Sequence, residues 1–278
     1  MATTNIRPAA VAGRFYPDDP KELREQVRSF LSAALSSRTE PVRALGCMVP
    51  HAGYMYSGHV TGAVFARVRI PKKCIVLCPN HTGVGEPLAI LSEGAWQTPL
   101  GEVPIAGDLA EELKHHFPAL QDDRSAHRAE HAIEVELPFL QFRQPELEFV
   151  PIAVGTGRFE ALAELGTAIA DVISSEEDEV LIVASSDMNH YESDAVTRIK
   201  DHRALERILS LDPRGLYDVV TQQDISMCGF GPAVAMLTAA RRLGAKSAEL
   251  VKYATSGDAS GDRQMVVGYA GLIVSKSQ

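Results

Sequence analysis

Apolar and polar positions alternate between two rhythms along the chain. Continuous apolar runs rich in β-branched residues fall at 43–49, 74–79, 148–154 and 179–185. Runs of this kind suit strands buried on both faces, as in a parallel sheet. Between them apolar residues recur at helical spacing. The stretch 20–35 carries Leu23, Val27, Phe30, Leu31, Ala34 and Leu35, with Asp18 or Asp19 as cap and Pro20 in the first turn. A helix is also expected after His51, through Val60, Ala63, Val64 and Val68, and further helices at 107–117, 129–142, 159–174, 194–210 and 229–244. Strands at 248–255 and 264–275 close the chain, and the turn-rich Gly257–Asp262 between them suits a hairpin. The alternation predicts an α/β fold of three layers, α/β/α, around a mostly parallel or mixed sheet. Strand 43–49, the helix after it and strand 74–79 form a βαβ unit with a right-handed crossover.

Three of these runs end on a histidine: Leu45–His51, Cys74–His81 and Val180–His190. In open α/β sheets the crevice beyond the carboxyl ends of the strands is where ligands bind. If the three strands are near neighbours, three imidazoles converge there, as a metal or acid/base site requires. A lone histidine after a strand is more often a loop hydrogen-bonder, so the force of the pattern lies in its repetition.

Length and composition leave this picture standing. The 278 residues are 45% hydrophobic, without a long linker, internal repeat or low-complexity segment; 36–41 and 174–179 read as surface connections, so residues 1–278 are expected to form one domain. The net charge is −9, and Lys72-Lys73 and Arg241-Arg242 are short and separate. A phosphate-backbone footprint needs clustered cations, so nucleic acid is not expected as a partner. No run approaches about 18 apolar residues and no basic-then-apolar leader is seen, which predicts no membrane partner and a cytoplasmic location.

The remaining candidates divide between chemistry and packing. Cys47, Cys74 and Cys78 lie within apolar strands, where a small buried hydrophobe is the ordinary role; Cys74 and Cys78 share a face. Cys228 stands before an apolar helix, where a helix N-terminus would lower its pKa and favour thiolate. A His/His/Cys set suits iron, copper or zinc. Asp187 either orients an imidazole or, with Ser185 and Ser186, caps the next helix. His127-Arg-Ala-Glu130-His131 matches the H-x-x-E-H zinc-peptidase pattern, provided one helix carries it. Tyr54 and Tyr56 follow His51 closely and either line a substrate pocket or pack. Asn80–Gly85 is too short a glycine pattern for a phosphate loop, and turn chemistry already explains Thr255–Asp262.

Together, Arg7–Pro17, Pro50–Gly58, Pro79-Asn80-His81, Glu130–Pro138, Ser185–His190 and Cys228-Gly229 resemble the Memo family, of the AmmeMemoRadiSam system protein B type, across nearly the whole chain and in the family's order. The resemblance implies a fold similar to the class III extradiol dioxygenases, where two histidines and a carboxylate hold Fe(II) and another histidine acts as acid/base. Carried over, His51 and His81 are the histidine ligands and Cys228 takes the place of the carboxylate. His190 is the acid/base group with Asp187 beside it, and Glu130 and His131 border the cleft. His127 lies outside the family's motif. A thiolate donates more charge than a carboxylate and is itself oxidisable, which opens the reaction to question. The resemblance also implies an AMMECR1-like protein and a radical SAM enzyme as partners. The expectation is a metal-binding protein with a redox or oxygenase-like role, holding Fe(II), with copper or zinc as alternative ions. Its rivals are a non-enzymatic module that receives a peptide or small molecule in the same cleft, and a zinc peptidase.

Overall fold

The computed structural model describes residues 5–34 and 41–276. The strands are β1 (Ile6–Arg7), β2 (Ala44–Val49), β3 (Lys73–Pro79), β4 (Leu88–Ile90), β5 (Ala95–Thr98), β6 (Gly101–Pro104), β7 (Gln121–Asp122), β8 (Glu148–Val154), β9 (Val180–Ser185), β10 (His190–Glu192), β11 (Ser247–Thr255) and β12 (Val266–Ser275). The helices are α1 (Pro20–Ala34), α2 (Tyr54–Arg67), α3 (Gly107–His116), α4 (Arg124–Arg128), α5 (Ala132–Arg143), α6 (Phe159–Ser175), α7 (Asp194–Leu209), α8 (Pro213–Gln222), α9 (Phe230–Arg242) and α10 (Ser256–Ser260).

Among the described residues, nine strands form one mixed sheet in the order β10-β12-β2-β9-β3-β8-β4-β7, with β11 on β12. Its centre, β2-β9-β3-β8, is parallel throughout. Antiparallel partners flank it, β12 on β2 and β4 on β8. The expected βαβ unit is present, but β9 inserts between β2 and β3. The three strands that lead to His51, His81 and His190 are therefore consecutive neighbours, and their carboxyl ends share one edge.

Alternation along the central strands explains the layers. Cys47, Val49, Cys74, Val76, Cys78, Leu181 and Val183 face α1, α2 and α5, packing with Leu23, Val27, Phe65, Ile133 and Phe139. Met48, Ile75, Leu77, Ile182 and Ala184 face the opposite way, onto Leu162, Leu165, Ile169, Val234 and Leu237 of α6 and α9. Two apolar layers on one sheet give the α/β/α arrangement, each fully buried aliphatic side chain contributing roughly 1.5–3 kcal/mol. Cys74 and Cys78 do share a face and are core residues.

Boundaries follow local chemistry. Asp19 accepts the backbone N–H of Lys21 and Glu22 and starts α1; Leu35 and Ser36–Glu40 lie outside the described residues. The β11–β12 hairpin is antiparallel as expected, its turn wound into the short α10 and closed by Gly261 at φ +81°. Short strands β4, β7 and β10 extend the main sheet beyond the expected ones, and two larger features were not anticipated either. One is α8, capped by Asp212 and started by Pro213. The other is a small sheet, β1-β5-β6, that pins the start of the chain beside α5.

Candidate metal centre

His51, His81 and Cys228 meet at the carboxyl edge of the parallel strands. One potential ligand atom from each lies within 4.8 Å of the others. His51 forms the floor at 2% exposure. His81 stands at the mouth with its side chain 33% exposed, and Cys228 is half-buried. Cys228 Sγ is 3.3 Å from His51 Nε2. The two histidine rings lie edge to face with centroids 5.0 Å apart.

Each imidazole is oriented through its Nδ1. Ser185 Oγ lies 2.7 Å from His51 Nδ1 and has its own acceptor in the Ala132 carbonyl, so His51 Nδ1–H donates and Nε2 is bare toward Cys228. His81 Nδ1–H donates to Glu130 Oε1 at 2.9 Å, which leaves its Nε2 bare. His190 Nδ1–H donates to the Ser226 carbonyl at 2.8 Å. A bare Nε2 behind a hydrogen-bonded Nδ1 is the state in which imidazole binds a metal or accepts a proton.

Glu130 is the keystone of the rim. It is buried, and its carboxylate accepts from the backbone N–H of His81, His131 and Ala132 as well as from the His81 ring. Burial pushes Glu130 up, but these donors outweigh it and hold the carboxylate below its usual range. In return His81 sits above its ordinary value: burial lowers it, and the Glu130 hydrogen bond and charge more than compensate. His131, at the N-cap of α5, stacks on His81 with centroids 4.8 Å apart and meets the edge of Phe15 at 4.9 Å. Burial holds it low. A second candidate group, His81 with Glu130 and His131, has equally close ligand atoms, but its carboxylate is already engaged by those four donors.

Asp187 is the electrostatic pivot. It accepts the His51 backbone N–H at 2.9 Å. Burial pushes its carboxyl up to about 6, opposed by that bond and by His190 and His81. It does not cap α7, which Ser193 does. Cys228 does not behave as expected either: burial, then the Asp187 charge, push the thiol well above its ordinary value. Backbone hydrogen bonds at Asp187 and Gly229 oppose this shift without offsetting it. Gly229 must follow, because a Cβ there would run into the Ser185 carbonyl and the Ser186 side chain.

Other candidates lie apart from this cluster. Tyr54 is core: it packs on Tyr16, Phe30 and Phe139, and its hydroxyl donates to the Val135 carbonyl. Tyr56 is half-buried against Val60, Ala254 and Tyr269. The H-x-x-E-H segment is not one helix. α4 ends at Arg128 and α5 begins at Ala132, the Glu130 carboxylate having drawn the intervening backbone around itself. His127 is wholly buried against Trp96, with ring centroids 5.9 Å apart, away from the ligand cluster. The peptidase arrangement is thereby excluded. The sequence gives Ser185 only a capping role and assigns none to Asn189, Ser226 or Phe15, although Asn189 and Phe15 lie in segments that carry the family resemblance. Nor does it assign one to Glu136, a fully buried carboxyl that desolvation holds well above its usual range while the Ser185 hydroxyl opposes in part.

The donor set fits a transition metal: two imidazole nitrogens with bare lone pairs and one sulfur, on three neighbouring elements, with the buried carboxyl of Asp187 beside them. No helix among the described residues is long and apolar enough to cross a membrane.

Known proteins give a consistent picture. A family model described as Memo-like protein matches residues 7–273. A MEMO1 family protein of Methanopyrus kandleri is 41% identical over 277 residues, covering 96% of this chain and 98% of the relative. Another, of Methanothermobacter thermautotrophicus, is 39% identical over 275 residues, covering 96% and 99%. The crystal structure of an uncharacterized protein from Escherichia coli K12 aligns with a TM-score of 0.53 at 11% identity, over 83% of this chain and all of that one, a likeness of fold alone. The chain belongs to the Memo family.

Proposed function

We propose that this Memo-family protein holds one non-haem iron(II) ion on His51, His81 and Cys228 and uses it in redox or oxygenase-like chemistry. The observation that carries the reading is the convergence of three ligand atoms within 4.8 Å, with both histidines tied back through Nδ1. Copper and zinc are the other ions such a donor set accepts. When bound, the ion supplies Lewis acidity and, if iron or copper, one-electron chemistry.

The chain's own residues define the rest of the site. Glu130 and Ser185 fix the two imidazoles. Cys228 is held as a thiol by burial and gives up its proton on taking part in binding. His190, with Nε2 free, is placed to take or give a proton beside Asp187, whose electrostatic influence reaches His51, His81 and His190. Phe15 and His131 wall the cleft. Residues 1–278 act as one domain in this reading, and the partners are the AMMECR1-like protein and radical SAM enzyme that the family resemblance implies.

Anaerobic purification followed by elemental analysis tests the proposal. The wild-type chain is expected to carry one iron per chain, and His51→Ala, His81→Ala and Cys228→Ala each to lose it. Unchanged metal content in all three variants would overturn the reading.

A further inference from the structure

A buried amide, that of Asn189, ties the loop that carries His190 to the loop that carries Cys228. Asn189 is fully buried and uses its whole side chain. Its Oδ1 accepts the Ser226 backbone N–H and hydroxyl, each at 3.1 Å. Its Nδ2 donates to Glu192 Oε2 at 2.6 Å and Thr197 Oγ1 at 3.4 Å. The same residue's backbone is held as well, its N–H donating to Asp201 Oδ1 at 2.8 Å and its carbonyl accepting from Gly268.

Ser226 passes that anchorage to both functional groups. Its carbonyl takes the His190 Nδ1–H and its hydroxyl oxygen accepts the His190 backbone N–H at 2.8 Å. Two residues on stands Cys228. Tyr191, next to His190, has φ +60°, a left-handed conformation that a non-glycine residue keeps only where its surroundings impose it. Here the imposing contacts are the Ser226 pair on one side and the β10–β12 pairing on the other.

We infer that Asn189 is a positioning residue: through Ser226 it locks His190 in the Nδ1–H tautomer with Nε2 free, and couples that setting to the segment bearing Cys228. The proton-handling group and the thiol then move as one body. The inference rests on the reading of His190 as the proton-handling group, but the tautomer itself is measurable without any metal or substrate.

Long-range 1H–15N NMR on the metal-free, 15N-labelled full chain reads it, with His190 assigned by its loss in His190→Gln. The wild-type spectrum, with the ring neutral, is expected to show Nδ1 protonated and Nε2 bare. Asn189→Ala should shift the ratio toward Nε2–H by roughly five- to tenfold, the worth of about one hydrogen bond. Asn189→Asp combined with Glu192→Gln keeps the acceptor for Ser226 and returns an amide donor at 192, so it should restore the wild-type tautomer. Ser226→Ala, which removes the hydroxyl and keeps the carbonyl, should give a smaller shift and serves if Asn189→Ala does not fold. A wild-type His190 protonated on Nε2 overturns the inference, as does an unchanged tautomer in an Asn189→Ala chain of wild-type melting temperature. Cobalt(II) loading separates the two readings. A wild type with the expected tautomer but no thiolate-to-cobalt absorption leaves the clamp supported and removes the metal proposal.

Discussion

Cys228 Sγ lies 3.3 Å from His51 Nε2, although 177 residues separate them in the chain. The sulfur comes from the turn before α9 and the nitrogen from the end of β2. The contact exists because Gly229 lets that turn press onto the Ser185 carbonyl, while Ser185 itself accepts from the other side of the His51 ring.

Glu130→Gln is the sharpest test of how the rim is built. The carboxylate serves four N–H donors, and an amide would turn its own NH2 toward some of them. The expected outcome is a loss of roughly 2–3 kcal/mol in urea unfolding, since buried donors lose their acceptor. Metal affinity should fall by roughly 10–100-fold because His81 is no longer oriented. Competition with a chelator measures the second effect independently of the first.

Arg7 secures the same region from below. Its guanidinium pairs with buried Glu134 at 2.7 Å, donates to the carbonyls of His127 and Glu130, and lies 4.0 Å over the Trp96 ring. Glu134 also holds the backbone of Ala10 and Val11 and the Tyr16 hydroxyl. Arg7→Met strands a buried carboxylate and should cost roughly 3–5 kcal/mol. Glu134→Gln should cost less, because its amide oxygen still accepts some of those bonds. Equal losses in the two variants would argue against a charge-specific role.

His127 sets a pH dependence of its own, away from the metal site. Neither ring nitrogen has a well-formed hydrogen bond. Burial holds its pKa at about 4, with the Ala89 carbonyl opposing in part. A folded-state value below the unfolded one means that the unfolded chain binds the proton first. The contribution is whole above about pH 6.5 and is lost as pH falls toward 4, reaching roughly 3 kcal/mol. His127→Phe should therefore unfold less readily than the wild type near pH 4.5, and the gap should close by pH 7.5. Its metal content should not change. A constant difference across that range would show that His127 does not titrate in this window.

Much of this was legible in the chain because the central strands are buried on both faces. Their apolar runs cannot be mistaken for half-exposed strands, and a histidine at each end is a conspicuous interruption. The order β2-β9-β3 was not legible, since strand adjacency is decided by long-range packing of α6 and α9 and leaves no local mark. α8 did carry a signal, Asp212-Pro213 followed by Leu216, Val219 and Val220 at helical spacing, which the reading passed over. The H-x-x-E-H pattern misled for the opposite reason. Its spacing is helical, but Glu130 gains more by accepting three backbone N–H groups and an imidazole than by continuing a helix. Cys228 shows the same tension: its place before α9 suggests a lowered pKa, while burial and the neighbouring Asp187 reverse the sign.

Anomalous diffraction at the iron edge, on crystals of the chain loaded anaerobically with iron(II), bears most directly on the proposed site. One peak is expected, at bonding distance, roughly 2.0–2.4 Å, from His51 Nε2, His81 Nε2 and Cys228 Sγ. A peak bonded instead to Glu130 and His131, or none at full iron loading, would contradict the assignment of His51, His81 and Cys228 as the metal ligands.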